Sequence, residues 1–201
     1  ASFAFMNGYY LTGLACGWVM TFLDTVDGKL ARVTSQSSRF GHYFDHVIDI
    51  VHPPFWYIWW GTALTSFDFS LSANNLYWMI IVGYTVGRLI EAVFHILGNC
   101  GIFSWRPFDA YFRLITGRRN PCLIILTLSI FVGRPDWGFI GVALWTAITT
   151  VVMLARLLWA TFVRIISGPL ESWLNDTFTA RTKYPRAYKT FSNTRSAYEG
   201  S

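Results

Sequence analysis

Charge is what this chain has least of. Only 13% of its 201 residues are Asp, Glu, Lys or Arg, while 53% are hydrophobic. Soluble domains carry about 25% charged residues, so a water-soluble globular domain is excluded. Cysteine is scarce as well. Cys16, Cys100 and Cys122 are irregularly spaced, with no CxxC pair and no disulfide framework. Each falls in or beside an apolar segment and reads as a small buried hydrophobe. A basic n-region and a cleavage pattern are both missing, so the apolar start is not a signal peptide. The chain opens at Ala1, without methionine and already inside an apolar run. The expectation is that segments upstream are absent.

Aromatics are what the chain has in excess: 10 Trp, 10 Tyr and 17 Phe. Such enrichment fits belts at the two membrane interfaces. The pattern predicts an all-α, polytopic transmembrane bundle of five visible helices. Residues 2–23 are apolar with interspersed Gly8, Gly13, Ala15 and Gly17, long enough to cross about 30 Å of hydrocarbon, and continue helical to about Arg32. Further helices are expected over about 41–66, kinked at Pro53 and Pro54, 76–98, 120–133 and 137–166. The fourth is short for a span, which predicts backward extension or tilt. Gly168-Pro169 ends the last one. Two regions result: a transmembrane domain, 1–168, and a polar C-terminal tail, 169–201, with room for a short amphipathic helix around Leu170–Phe178.

The net charge of +5 is unevenly placed. Lys29, Arg32 and Arg39 sit in the first turn; Arg106, Arg113, Arg118 and Arg119 sit in the 99–119 segment; the tail holds Arg181, Lys183, Arg186, Lys189 and Arg195. Loops 67–75 and 134–136 carry a single Arg between them. Basic loops alternate with poor ones in step with the helices, so the positive-inside rule puts the basic loops and the tail in the cytoplasm. Arg156 and Arg164 on the last helix would snorkel to that interface. Arg88 and Glu91, one turn apart, read as a structural ion pair.

Against this apolar background stands one acidic stretch. Asp24-Thr-Val-Asp27-Gly28-Lys-Leu-Ala31-Arg32 is followed, after eight residues, by Gly41-His-Tyr-Phe-Asp45-His-Val-Ile-Asp49. Spacings of three and four place each Asp pair on one helix face. Acids in an apolar segment are costly and mark function. Clustered carboxylates suit magnesium, manganese or calcium, and two pairs on facing helices would hold two ions. Gly28, Ala31 and Gly41 leave room for a phosphate beside the backbone, and Arg32 offers it a planar fork. Thr34 and Ser38 either hydrogen-bond a nucleotide or cap the turn. His42 and His46 share a face with Asp45 and Asp49. Zinc is one reading of that cluster; a hydrogen bond or packing by His46 is another.

The pattern Asp-x2-Asp-Gly-x2-Ala-Arg-x8-Gly-x3-Asp-x3-Asp resembles the signature of the CDP-alcohol phosphotransferase family, with every fixed position filled. The resemblance implies an integral membrane enzyme, a transferase of substituted phosphate groups, that passes the phosphoryl-bearing half of a CDP-linked donor to an alcohol and releases CMP. It implies that Asp24, Asp27, Asp45 and Asp49 hold two Mg2+ (or Mn2+) ions, with Asp49 also the general base. It implies a CDP pocket of Asp24, Gly28, Ala31, Arg32 and Gly41, with Thr34 beside it. Its members usually have a transmembrane helix before the motif-bearing one, so the resemblance implies one missing N-terminal helix beyond the five visible ones, and they commonly form homodimers.

Two donor classes stay open. Arg113, Arg118 and Arg119 would suit a phosphorylated polar acceptor of a phosphatidyl group from CDP-diacylglycerol; membrane topology and lipid contact explain them equally. The Phe44-Asp45-His46 run resembles enzymes that move a small head group from CDP-choline or CDP-ethanolamine to diacylglycerol. A metal transporter or non-enzymatic homologue is the rival from another class, but the acids gather at one membrane face rather than along a path. The expected partners are donor, acceptor and membrane lipid, with no nucleic acid.

Overall fold

The computed structural model describes residues 1–34, 52–64 and 72–192, with the backbone alone described for 27–34. Among the described residues there are helices and no strand. In chain order they are α1 (Ser2–Met6), α2 (Tyr10–Thr34), α3 (52–62), α4 (Ala73–Leu97), a 3-10 turn (Ile102–Ser104), α5 (Pro107–Ile115), α6 (Arg119–Phe131), α7 (Pro135–Ser167), α8 (Thr177–Lys183) and α9 (Pro185–Phe191). The all-α reading is met. Helices α4 and α7 are long and apolar enough to cross a membrane, and α5 with α6 make a third if they count as one span.

The first expected helix is in fact two. Gly8 adopts φ +76, a left-handed conformation open to glycine, and Asn7 turns its side-chain amide onto the carbonyl of Phe3 at 2.8 Å. The break lets α1 fold back so that Phe5 lies on Gly13. The second surprise is α5. Pro107 stands in its first turn, where a proline costs no hydrogen bond, and the helix occupies what the sequence reading leaves as a polar loop. So α6 is preceded by a separate helix rather than extended backward.

The contacts divide the chain into two compact units. The first comprises Ala1–Thr85 and Gly117–Thr150; the second comprises Val86–Thr116 and Val151–Ser201. The first packs around Phe5, Trp56, Tyr57, Trp60, Leu123, Leu126 and Phe139. Phe5 meets Trp56 and Trp60 at ring-centroid distances of 6.4 and 5.1 Å, pairs worth about 0.5–1.5 kcal/mol each. Trp60 donates its indole N–H to the carbonyl of Pro135 at 2.9 Å. Thr150 donates to the carbonyl of Gly83 at 2.8 Å, tying α7 to α4.

The second unit packs around Phe94, Ile102, Trp105, Phe112, Met153, Ala160 and Leu170. Arg88 and Glu91 pair there at 2.7 Å. Leu170 is buried, and the helix after it begins only at Thr177 rather than spanning Leu170–Phe178. Arg156 does not snorkel. Its side chain is 15% exposed and forks onto Asp109 at 2.6 and 2.7 Å. The rings of Trp105, Phe108 and Trp159 stand 4.7–5.5 Å from its guanidinium. Of the cysteines, Cys100 and Cys122 are buried as expected, but Cys16 is exposed.

Candidate functional site: a carboxylate and an arginine fork

The site begins with a close helix approach. Gly117 precedes α6 and its N–H donates to the Thr149 hydroxyl of α7 at 3.2 Å. A methyl group at Gly117 would sit 2.7 Å from that oxygen and 3.1 Å from the Thr146 Cα. No larger residue fits without displacing α7. This seat fixes where α6 starts, and Arg119 is its first residue.

Three contacts then set α6 against α2. Trp18 donates its indole N–H to Thr127 at 3.0 Å. Gly17 faces the Leu123 side chain. Arg119 reaches Asp24, Nη2 to Oδ2, at 2.5 Å. Numbers rise along α2 as they fall along α6, so the two run antiparallel, and the first motif carboxylate meets the first residue of α6. The Arg119 side chain is 12% exposed and that of Asp24 is 31% exposed. Asp24 therefore keeps water access and acceptor capacity beyond this one bond, since a carboxylate has about four lone-pair sites.

Asp27, Gly28, Ala31, Arg32 and Thr34 follow Asp24 on α2, all with helical backbone; their side-chain surroundings lie outside the described residues. So do Ser38, Gly41, His42, Asp45, His46 and Asp49. Among the described residues no group of three metal-ligating side chains occurs. Arg118 is the residue before α6, beside Arg119 in the first unit. Arg113 is exposed on α5, in the second unit. Sequence reasoning offers Arg119 to a phosphate and does not anticipate its bond to Asp24. The available signal is the acid itself: a carboxylate beside an apolar segment calls for a cation, and Arg119 opens the next apolar run that lacks an acid of its own.

Fold and site together define a helical membrane protein with a carboxylate–arginine centre in the second half of its first long helix. The model of the CDP-alcohol phosphatidyltransferase family matches residues 1–98, a stretch that holds the entire acidic motif. That family is one of membrane-bound transferases of phospholipid biosynthesis that take a CDP-alcohol donor and an alcohol acceptor. No curated protein and no solved structure matches the chain.

Proposed function

We propose that the protein transfers a phosphatidyl group from CDP-diacylglycerol to a polar alcohol and releases CMP. The observation that carries this is the unbroken eight-position motif inside the family-matched residues. The Asp24–Arg119 contact supports it, because it puts a phosphate-binding type of side chain beside the motif's first acid.

The donor set fits a hard divalent cation. All four candidates are carboxylates, and Asp24 has one oxygen beyond its bond to Arg119. Asp24, Asp27, Asp45 and Asp49 would hold two Mg2+ (or Mn2+) ions, which supply charge neutralisation at the phosphates when bound. The chain's own residues do the rest. Asp49 accepts the proton of the acceptor hydroxyl, whose oxygen attacks the phosphorus of the phosphatidyl group. The bond to CMP breaks as the new one forms, so no covalent enzyme intermediate arises. Arg32 and Arg119 hold the departing phosphate charge. Gly28, Ala31 and Gly41 leave space for the nucleotide beside the backbone, and Thr34 hydrogen-bonds it. Arg113 and Arg118 draw a phosphorylated acceptor. Holding two substrates beside fixed charge accounts for most of the rate. The basic loops put this site on the cytoplasmic side, where the nucleotide is, and the chain works as a homodimer.

A second reading, transfer of a small head group to diacylglycerol, is favoured by Phe44-Asp45-His46 alone. One experiment separates them. CMP release is measured from purified protein with CDP-diacylglycerol or CDP-choline, a panel of alcohols, and magnesium or chelator. Metal-dependent release with CDP-diacylglycerol, absent in Asp49→Asn, is the expected result. Release with CDP-choline only overturns the donor assignment. Silence with every donor, with metal still bound, overturns the enzyme reading in favour of a metal-binding homologue.

A further inference from the structure

The second unit holds a cavity of about 220 Å³ at the end of α7, lined by Trp105, Arg106, Ser167, Gly168, Glu171 and Trp173. Its volume is that of about seven waters. Its walls are tied down: Asn99 N–H donates to Leu170 O at 3.2 Å, Trp173 N–H to Ser104 O at 3.3 Å, and the Ser172 hydroxyl to the same Ser104 carbonyl at 2.9 Å. The lining carries both signs of charge. Arg106 has its guanidinium 5.1 Å above the Trp105 ring. The Trp173 indole nitrogen is buried and has no hydrogen-bond partner among the described residues. These are two donors for an anion. Glu171, the last α7 carbonyl at Ser167 and the carbonyl of Gly168 just after it are acceptors at the negative end of a long helix. Neither Arg106 nor Glu171 is ion-paired among the described residues.

The last turns of α7, which end at this cavity, carry exposed apolar side chains. Phe162, Ile165 and Ile166 on the last turns of α7 are 64–79% exposed. Hydrophobic side chains of that size remain uncovered where a transmembrane helix faces acyl chains. We infer that the cavity binds the zwitterionic head group of a phospholipid, of the phosphoethanolamine type. Its phosphate meets Arg106 and the Trp173 N–H, its ammonium meets Glu171 and the α7 carbonyls, and its chains lie along Phe162, Ile165 and Ile166. The inference does not rest on the proposed reaction.

Native mass spectrometry of the purified full chain in detergent tests it, with three probes: dihexanoyl phosphatidylethanolamine, dihexanoyl phosphatidylglycerol, which lacks the ammonium, and glycerophosphoethanolamine, which lacks the chains. The expected result is about tenfold tighter retention of the ethanolamine lipid than of either other probe, the size of one charge-assisted hydrogen bond. Glu171→Gln removes the preference over phosphatidylglycerol, and Trp173→Phe weakens retention of both lipids. Asp24→Asn retains the ethanolamine lipid like the wild type. Equal retention of the two lipids, a preference that survives Glu171→Gln, retention lost in Asp24→Asn, or glycerophosphoethanolamine bound as tightly as the lipid each overturns the inference.

Discussion

Two Asp–Arg pairs in this molecule teach by contrast. Asp109 and Arg156 are joined by two short bonds, the carboxylate is 2% exposed, and three aromatic rings surround the guanidinium. Asp24 and Arg119 share one bond and the carboxylate is 31% exposed. The first pair is saturated in that both carboxylate oxygens are bonded to one guanidinium and buried, so it holds α5 to α7 and is closed to a ligand. The second is open at its acid, which is part-exposed and has oxygens to spare. Function belongs to the pair whose carboxylate keeps an oxygen for a ligand.

Substitutions test that division from both sides. The largest effect should come from the open pair: Asp24→Asn lowers CMP release by roughly 10²- to 10³-fold, the usual range for removing a charge-stabilising group, with thermal unfolding in detergent nearly unchanged. The saturated pair should behave oppositely. Asp109→Asn costs about 3–5 kcal/mol of stability, because Arg156 is left as a buried uncompensated charge. Replacing both partners, Asp109→Leu with Arg156→Met, should recover most of that loss. If Asp109→Asn leaves stability intact and abolishes CMP release instead, the division is wrong.

A smaller effect probes the fork. Arg119→Lys keeps the charge and loses the planar geometry, and should slow CMP release by about tenfold while Asp24 keeps a cationic neighbour. The smallest concerns a third, isolated carboxylate. Asp176 caps α8, accepting from the backbone of Phe178 and Thr179 at 3.1 Å each. Hydrogen bonds from Thr179, then Phe178, hold it below the usual carboxylate range. Its folded value is depressed, so its contribution is present at neutral pH and is lost as pH falls through that lowered value. Amide exchange at Phe178 and Thr179, corrected for intrinsic rate, should lose protection in that acid window, and at all pH values in Asp176→Ala.

The all-α class was readable because apolar runs and their breakers leave a periodic trace, and the candidate acids because four Asp at helical spacing stand out in so apolar a chain. Gly8 was noted only as a small residue, since its positive φ depends on Phe5 finding a place on Gly13. The short α5 was hidden among the polar residues around Arg106 and Arg113. Neither Asp–Arg pair was legible: the partners lie 95 and 47 residues apart, and no local pattern links them. Sequence places Arg156 at the interface because it shows the charge but not Asp109 beside it.

Helix α7 has one more consequence. Its 33 residues, at 1.5 Å each, make a rod of about 50 Å, while the hydrocarbon of a bilayer is about 30 Å thick. An upright α7 would carry its final apolar turns, with Phe162 and Ile165, out into water. Tilting keeps them in lipid, and the angle required falls as the bilayer thickens. The membrane's thickness thus becomes a mechanical input to this protein, applied along the same helix whose Thr146 and Thr149 seat the loop that presents Arg119.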